Sequence, residues 1–184
     1  MSDPTADPDQ HSAATPADGP LSGFRVLDLS SVVSGPMAAV VLADQGADVI
    51  KIEPPGWGDG IRGLGASRNG LSAIYAMINR NKRSIAINLK HAEGQALVRQ
   101  LAADADVLLQ NYRPGKMARL GLDYDALKAE CPDLIYASIN GMGEVGPYAE
   151  QKTYDYVIQA LSGILDVQGM TPLAMNPAEH DASP

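Results

Sequence analysis

Two short polar clusters carry the residue types best suited to chemistry. Asn79-Arg80-Asn81-Lys82-Arg83-Ser84 and, further along, Asn111-Tyr112-Arg113-Pro114-Gly115 each interrupt an apolar, strand-like stretch. Such clusters can set backbone N–H groups and cations around one phosphorylated ligand, which points to a nucleotide-like cofactor. A solvated basic turn before a strand also accommodates Arg80, Lys82 and Arg83. Pro114-Gly115 is likewise a common way to start a turn or a helix.

A third candidate is the loop Ser30-Ser31-Val32-Val33-Ser34-Gly35-Pro36, which opens a helix, where unpaired N–H groups and the macrodipole attract an anion. The same residues suit an ordinary helix start, with Ser34 or Gly35 as cap and Pro36 in the first turn. The loop lacks the G-x-G-x-x-G pattern of a nicotinamide or flavin site. Residues 141–146 match that pattern in letters only, because they run into Pro147 instead of opening a helix. No metal is expected: His11, His91 and His180 have no Cys or His at ligand spacing.

The elements that must position these residues follow from periodicity. Phe24–Leu29 reads as a strand, Met37–Gln45 as an Ala/Val/Leu helix closed by Gly46, and Asp48–Glu53 as a second strand stopped by Pro54-Pro55-Gly56. A strand–helix–strand unit implies a right-handed crossover and a parallel sheet. Trp57–Ala66 is Gly-rich and reads as a mobile loop, and Leu71–Ile78 as a helix. Arg83–Leu89 alternates as a strand. Glu93–Ala103 places Leu97 and Leu101 on one helical face, and Asp106–Gln110 returns as a strand. Short helices are predicted around Lys116–Leu120 and Tyr124–Cys131, a strand over Leu134–Ile139, a loop over 140–152 and a helix over Thr153–Leu165. The fold class is an α/β doubly wound parallel sheet.

Composition bounds the partners. The 184 residues, 45% hydrophobic, can bury one ordinary core. The net charge of −8 argues against nucleic acid. Of the 22 acidic residues, four lie in the first twenty positions and two in the last fifteen, which leaves 16 against all 14 Lys and Arg, a near balance suited to a small anion. Residues 1–20, rich in Pro, Asp, Ala and Ser, read as a disordered acidic tail. The single cysteine, Cys131, fits a reducing compartment, and there is neither a signal-peptide pattern nor an apolar run of bilayer length. The expected location is the cytoplasm, with no membrane partner.

Taken in order, these segments resemble the class III CoA-transferase (CaiB/BaiF) family, in its N-terminal part. The blocks that carry the likeness are Leu21–Leu29, Ser34-Gly35-Pro36, Leu42–Pro55, Asn79–Ile85, Asn111–Gly115, Arg119-Leu120-Gly121, Tyr136–Gly141, Gly146-Pro147-Tyr148, Tyr154-Asp155 and Gln159–Gly163. They cover about residues 21–169. The resemblance implies a Rossmann-like large domain that binds coenzyme A, incomplete here relative to the family, in protomers that interlock as a homodimer. It places Ser31, Val32, Val33 and Ser34 along the acyl-CoA site and Asn81, Lys82 and Arg83 near the CoA diphosphate and 3′-phosphate. Asn111, Tyr112 and Arg119 would hold the adenosine and pantetheine portions, and Lys152 would sit by the thioester.

In this family an aspartate attacks the acyl-CoA thioester to give a mixed anhydride and CoA thiolate. The thiolate then displaces the donor acid, and the resulting aspartyl-CoA thioester is resolved by a carboxylic acid acceptor. The glycine-rich 140–147 loop is a source of oxyanion donors. Racemases of the family, the 2-methylacyl-CoA type, have a His before the acidic residue that is Asp155 here. Tyr154 in that place favours CoA transfer. Asp155 is read as support, and Asp181, at about the expected separation but with unmatched neighbours His180 and Ala182, as a candidate nucleophile. Residues 170–184 read as a divergent tail, so the expectation is an N-terminal part or truncated product. Two alternatives stand beside it: a non-catalytic CoA-binding or interaction fragment, from another class, and a 2-methylacyl-CoA racemase-like enzyme.

Overall fold

Apolar side chains alternate with neighbours that are also buried along the first strand, and a strand buried on both faces needs a layer on each side. Strand β1 (Arg25–Asp28) has Val26 and Leu27 almost wholly buried on opposite faces. Helix α1 (Ser34–Asp44) supplies Ala39, Val40 and Ala43 to one side before β2 (Asp48–Glu53) returns parallel to β1. Gly46, at φ +97°, makes the turn between them, as the sequence predicts for a helix-closing glycine. In this computed structural model residues 19–168 are described, and they fall into two units divided between Ser138 and Ile139.

In the first unit a one-turn 3₁₀ helix (Gly60–Gly63) and a small hairpin, β3 (Ser67–Arg68) with β4 (Leu71–Ser72), precede α2 (Ala73–Asn79). Then come β5 (Lys82–Ala86), α3 (Ala92–Ala103), β6 (Val107–Gln110), α4 (Lys116–Arg119), α5 (Tyr124–Glu130) and β7 (Ile135–Ser138). The main sheet has the order β5-β2-β1-β6-β7 and every pairing is parallel. This is the doubly wound, Rossmann-like order, which reverses between β1 and β6. Leu27, Ile52, Leu108, Val98, Ala102, Met117, Leu122 and Leu127 form the core on the face covered by α3, α4 and α5.

Three local expectations are corrected. Trp57–Ala66 holds ordered structure, because the Asp59 carboxylate accepts the Ile61 N–H at 3.1 Å and Ile61 is buried against Tyr75 and Ile78. On α3 the fully buried positions are Val98 and Ala102, while Leu97 is exposed and Leu101 only partly buried, so the helix is rotated from the Leu97–Leu101 face. Leu71 lies in the hairpin, and α2 starts after Ser72, whose Oγ accepts the Tyr75 N–H at 3.2 Å as cap.

The second unit begins with the 139–154 loop, where Gly143 and Gly146 have φ of +80° and +116°. It continues as α6 (Asp155–Leu161) and α7 (Ile164–Val167). The single helix expected over Thr153–Leu165 is thus two, because Gly163 adopts φ +76° between them. Among the described residues no helix is long and apolar enough to cross a membrane.

Candidate functional site

In an open α/β sheet the ligand crevice lies outside the carboxyl ends of the strands where the strand order reverses. Here that place is the end of β1 and the end of β6. The β1 end leads into Ser30–Val33 and the β6 end into Asn111 and Tyr112. Asn111 joins the two: its Oδ1 accepts the Ser31 N–H at 2.9 Å and its Nδ2 donates to the Ser31 carbonyl at 2.7 Å. Gln110, buried below it, accepts the Tyr112 N–H at 2.7 Å and donates to Ser138 Oγ at 2.7 Å. The start of α1 lies so close to this loop that a Cβ on Gly35 would stand 2.2 Å from the Ser30 Cβ. Only glycine fits there.

Buried charges hold the loop from beneath. Asp28 and Lys51 are register partners on adjacent strands, and both are almost inaccessible. Asp28 Oδ1 accepts the Ser30 N–H at 3.0 Å and also the Ser30 hydroxyl. Lys51 Nζ donates to the Ser30 carbonyl at 2.9 Å and pairs with Asp59 at 3.0 Å. Asp59 in turn accepts the Val32 N–H, 3.1 Å from Oδ1 and 3.2 Å from Oδ2. Sequence reasoning missed Asp28, Lys51 and Asp59. The available signal was a charge of each sign set inside an apolar strand, Val26-Leu27-Asp28-Leu29 and Ile50-Lys51-Ile52.

Lys82 belongs to this buried layer. Its ammonium donates to Asp28 Oδ2 at 2.8 Å, the Pro36 carbonyl at 2.8 Å and Asn79 Oδ1 at 3.0 Å, and its side chain is 1% exposed. Burial pulls its pKa below the ordinary lysine range against the opposing pull of Asp28. With three donors so engaged, Lys82 meets Asp28 where a phosphate was expected. Its neighbours also face carboxylates: Asn81 donates to Asp44 at 2.9 Å, and Arg83 grips Asp48 at 2.9 and 2.6 Å. Burial raises the Asp48 pKa, but the hydrogen bonds from Arg83 and Arg25 bring it below the usual carboxylate range.

The cations near the switch point come from the second cluster and α4. Lys116 Nζ lies 3.8 Å over the Tyr112 ring. Burial, then the positive charges of Arg119 and Lys90, lower the Lys116 pKa. Arg119 is exposed. Tyr112 is raised by burial and by the charges of Asp59 and Asp28.

Beside the loop, Glu53 anchors the carboxyl end of β2. Arg62 grips it at 2.7 Å with two nitrogens, Tyr75 OH and Ser84 Oγ each donate at 2.8 Å, and the Asp59 N–H donates at 2.7 Å. Burial pushes its pKa up, yet these donors together hold it down at about 2. An open pocket of about 230 Å³ lies here, lined by Glu53, Trp57, Arg62 and Ser84.

A family model described as CoA-transferase family III matches residues 21–183. The chain belongs to the family III CoA-transferases. The family match runs past residue 169, to about which the resemblance extends. A succinate–glutarate CoA-transferase of Agrobacterium fabrum is 46% identical over 157 residues, 82% of this chain and 39% of that relative. The human succinyl-CoA:glutarate CoA-transferase is 44% identical, over 82% of this chain and 34% of its own length. A solved CaiB/BaiF family protein from Brucella suis superposes with a TM-score of 0.76 at 44% identity, covering 80% of this chain and 40% of that one. The chain therefore spans between about a third and two fifths of the length of these relatives, consistent with an incomplete Rossmann-like fold.

Of the residues that the family resemblance assigns to CoA, the structure joins Ser31 and Ser34 to Asn111 by hydrogen bonds, with Val32 and Val33 between the two serines and Tyr112 next along the chain from Asn111. Lys152 and Asp155 belong to the second unit, where both are exposed and Asp155 accepts a hydrogen bond from Gln159. Asp181 and the 170–184 segment lie outside the described residues.

Proposed function

We propose that this chain forms the CoA-holding part of a family III CoA-transferase that moves CoA between an acyl-CoA thioester and a carboxylic acid. The observation that carries this reading is the Asn111 clamp on Ser31. It fixes the first loop to the second polar cluster at the switch point, next to the cations Lys116 and Arg119. In this reading Ser31–Ser34 lines the acyl and thioester end, Asn111 and Tyr112 hold the pantetheine and adenosine portions, and Arg119, with Arg113 and Lys116, faces phosphate. Asn81 and Arg83 reach phosphate only by leaving Asp44 and Asp48, and Lys82 acts through Asp28 on the loop. Lys152 by the thioester, Asp155 as support and Asp181 as nucleophile are proposed on the family resemblance alone.

The relatives' names favour short dicarboxylates as the acids to test first. The protein is further proposed to work in the cytoplasm as a homodimer on small molecules, without nucleic acid or membrane partners. Calorimetry with CoA and with dephospho-CoA, at low and high salt, tests the binding. CoA should bind more tightly than dephospho-CoA, and both should weaken as salt screens the cations. Equal affinities would remove the 3′-phosphate contact, and no binding of either would sink the reading.

A further inference from the structure

Val32 is held in a backbone conformation that its own chemistry disfavours. Its φ is +66°, in the left-handed region, where a β-branched residue is a genuine outlier. The residue is 53% exposed, so no buried packing compels the geometry. What does act on it is its N–H, which points at both oxygens of the Asp59 carboxylate. Asp59 lies 27 residues downstream in the glycine-rich segment and is only 3% exposed.

The same carboxylate is itself fixed on every side. Lys51 Nζ neutralises it at 3.0 Å, the Ile61 N–H donates to it at 3.1 Å, and its own N–H is bound to Glu53 at 2.7 Å. Lys51 also holds the Ser30 carbonyl at 2.9 Å, and Asn111 holds Ser31. Ser30, Ser31 and Val32 are thus pinned by four side chains, Asp28 and Lys51 on Ser30, Asn111 on Ser31, and Asp59 alone among these on the strained Val32. Strain of this kind persists only when the surroundings over-determine it.

We infer that Asp59 is a positioning residue that latches the Ser31–Val33 loop in its ligand-ready conformation, with Lys51 as its buried counter-charge. The inference rests on the CoA reading for the identity of the ligand, but the latch is a property of the unliganded chain. Without Asp59 the loop relaxes toward negative φ at Val32, and apparent affinity falls with the competent fraction.

Two measurements test it. In the unliganded wild-type chain the Val32 amide should exchange with solvent at least about tenfold more slowly than in an unstructured peptide. Exchange at the peptide rate would overturn the latch. Asp59→Asn, checked as folded by its thermal melt, should weaken CoA binding about tenfold, as expected when only about a tenth of the loop population is competent. In the Val32→Gly background the same substitution should cost about twofold or less, because glycine takes positive φ without penalty. An equal loss in both backgrounds would mean that Asp59 does not act through Val32. If the wild-type chain bound no CoA, the CoA reading would fall, and the amide exchange alone would confirm or overturn the latch.

Discussion

Asn111 grips both backbone polar groups of Ser31, accepting its N–H at 2.9 Å and donating to its carbonyl at 2.7 Å across 80 positions of sequence. A carboxamide is the side chain that can do both at once. Asn111→Asp keeps the acceptor but loses the donor and sets a negative charge beside a carbonyl. Losing such a bond at a partly buried site costs about 1–3 kcal/mol, so CoA affinity should fall about tenfold or more. Calorimetry with CoA checks this, and unchanged affinity would remove the clamp from the binding site.

Lys82 and Arg119 are both basic, yet they should respond oppositely to substitution. Lys82→Met leaves Asp28 buried without its strongest partner, which should cost about 3–5 kcal/mol of stability. The salt dependence of CoA binding should not change. Arg119→Gln, at an exposed position, should stay within about 0.5 kcal/mol of wild-type stability. It should weaken CoA binding and flatten its salt dependence. Urea denaturation and salt-dependent titrations of the two variants check the contrast, and the reverse pattern would return Lys82 to the phosphate.

The contrast also marks what the sequence could convey. Strands β1, β2 and β6 and the crossover helix were legible because apolar runs and Gly46 are local signals. The likeness to a family assigned Ser31–Ser34 and Asn111-Tyr112 to different portions of one ligand, but the direct hydrogen bonds between Ser31 and Asn111 were not legible, because 80 positions separate them. The partner of Lys82 was not legible, since Asp28 lies 54 positions away and only the fold puts them side by side. Nor was the order in Trp57–Ala66, whose glycines signalled a mobile loop while Asp59 tied the segment to Lys51 and Val32. Gly163 was a readable helix break, and the apolar pattern on either side masked it.

Glu53 should contribute to acid sensitivity in a defined window. Its carboxylate, ordinarily near 4.5, is held at about 2 in the folded chain by Arg62, the Asp59 N–H, Ser84 and Tyr75, against the upward push of burial. A depressed folded pKa means that the stabilisation is complete above the unfolded value and is lost as pH falls through the folded one. Stability should therefore decline from about pH 4.5 toward about pH 2, and Glu53→Gln should flatten that decline. Thermal melts across this range decide it, and an unchanged slope in the variant would show that Glu53 is not the linked group.

CoA is proposed to sit at the switch point between β1 and β6. Titrating CoA into the isotopically labelled chain while following backbone amide resonances tests it most directly. The largest shifts are expected at Ser31–Ser34 and Asn111–Tyr112, with smaller ones at Lys116 and Arg119. Saturable shifts confined to other parts of the chain, or none at millimolar CoA, would contradict it.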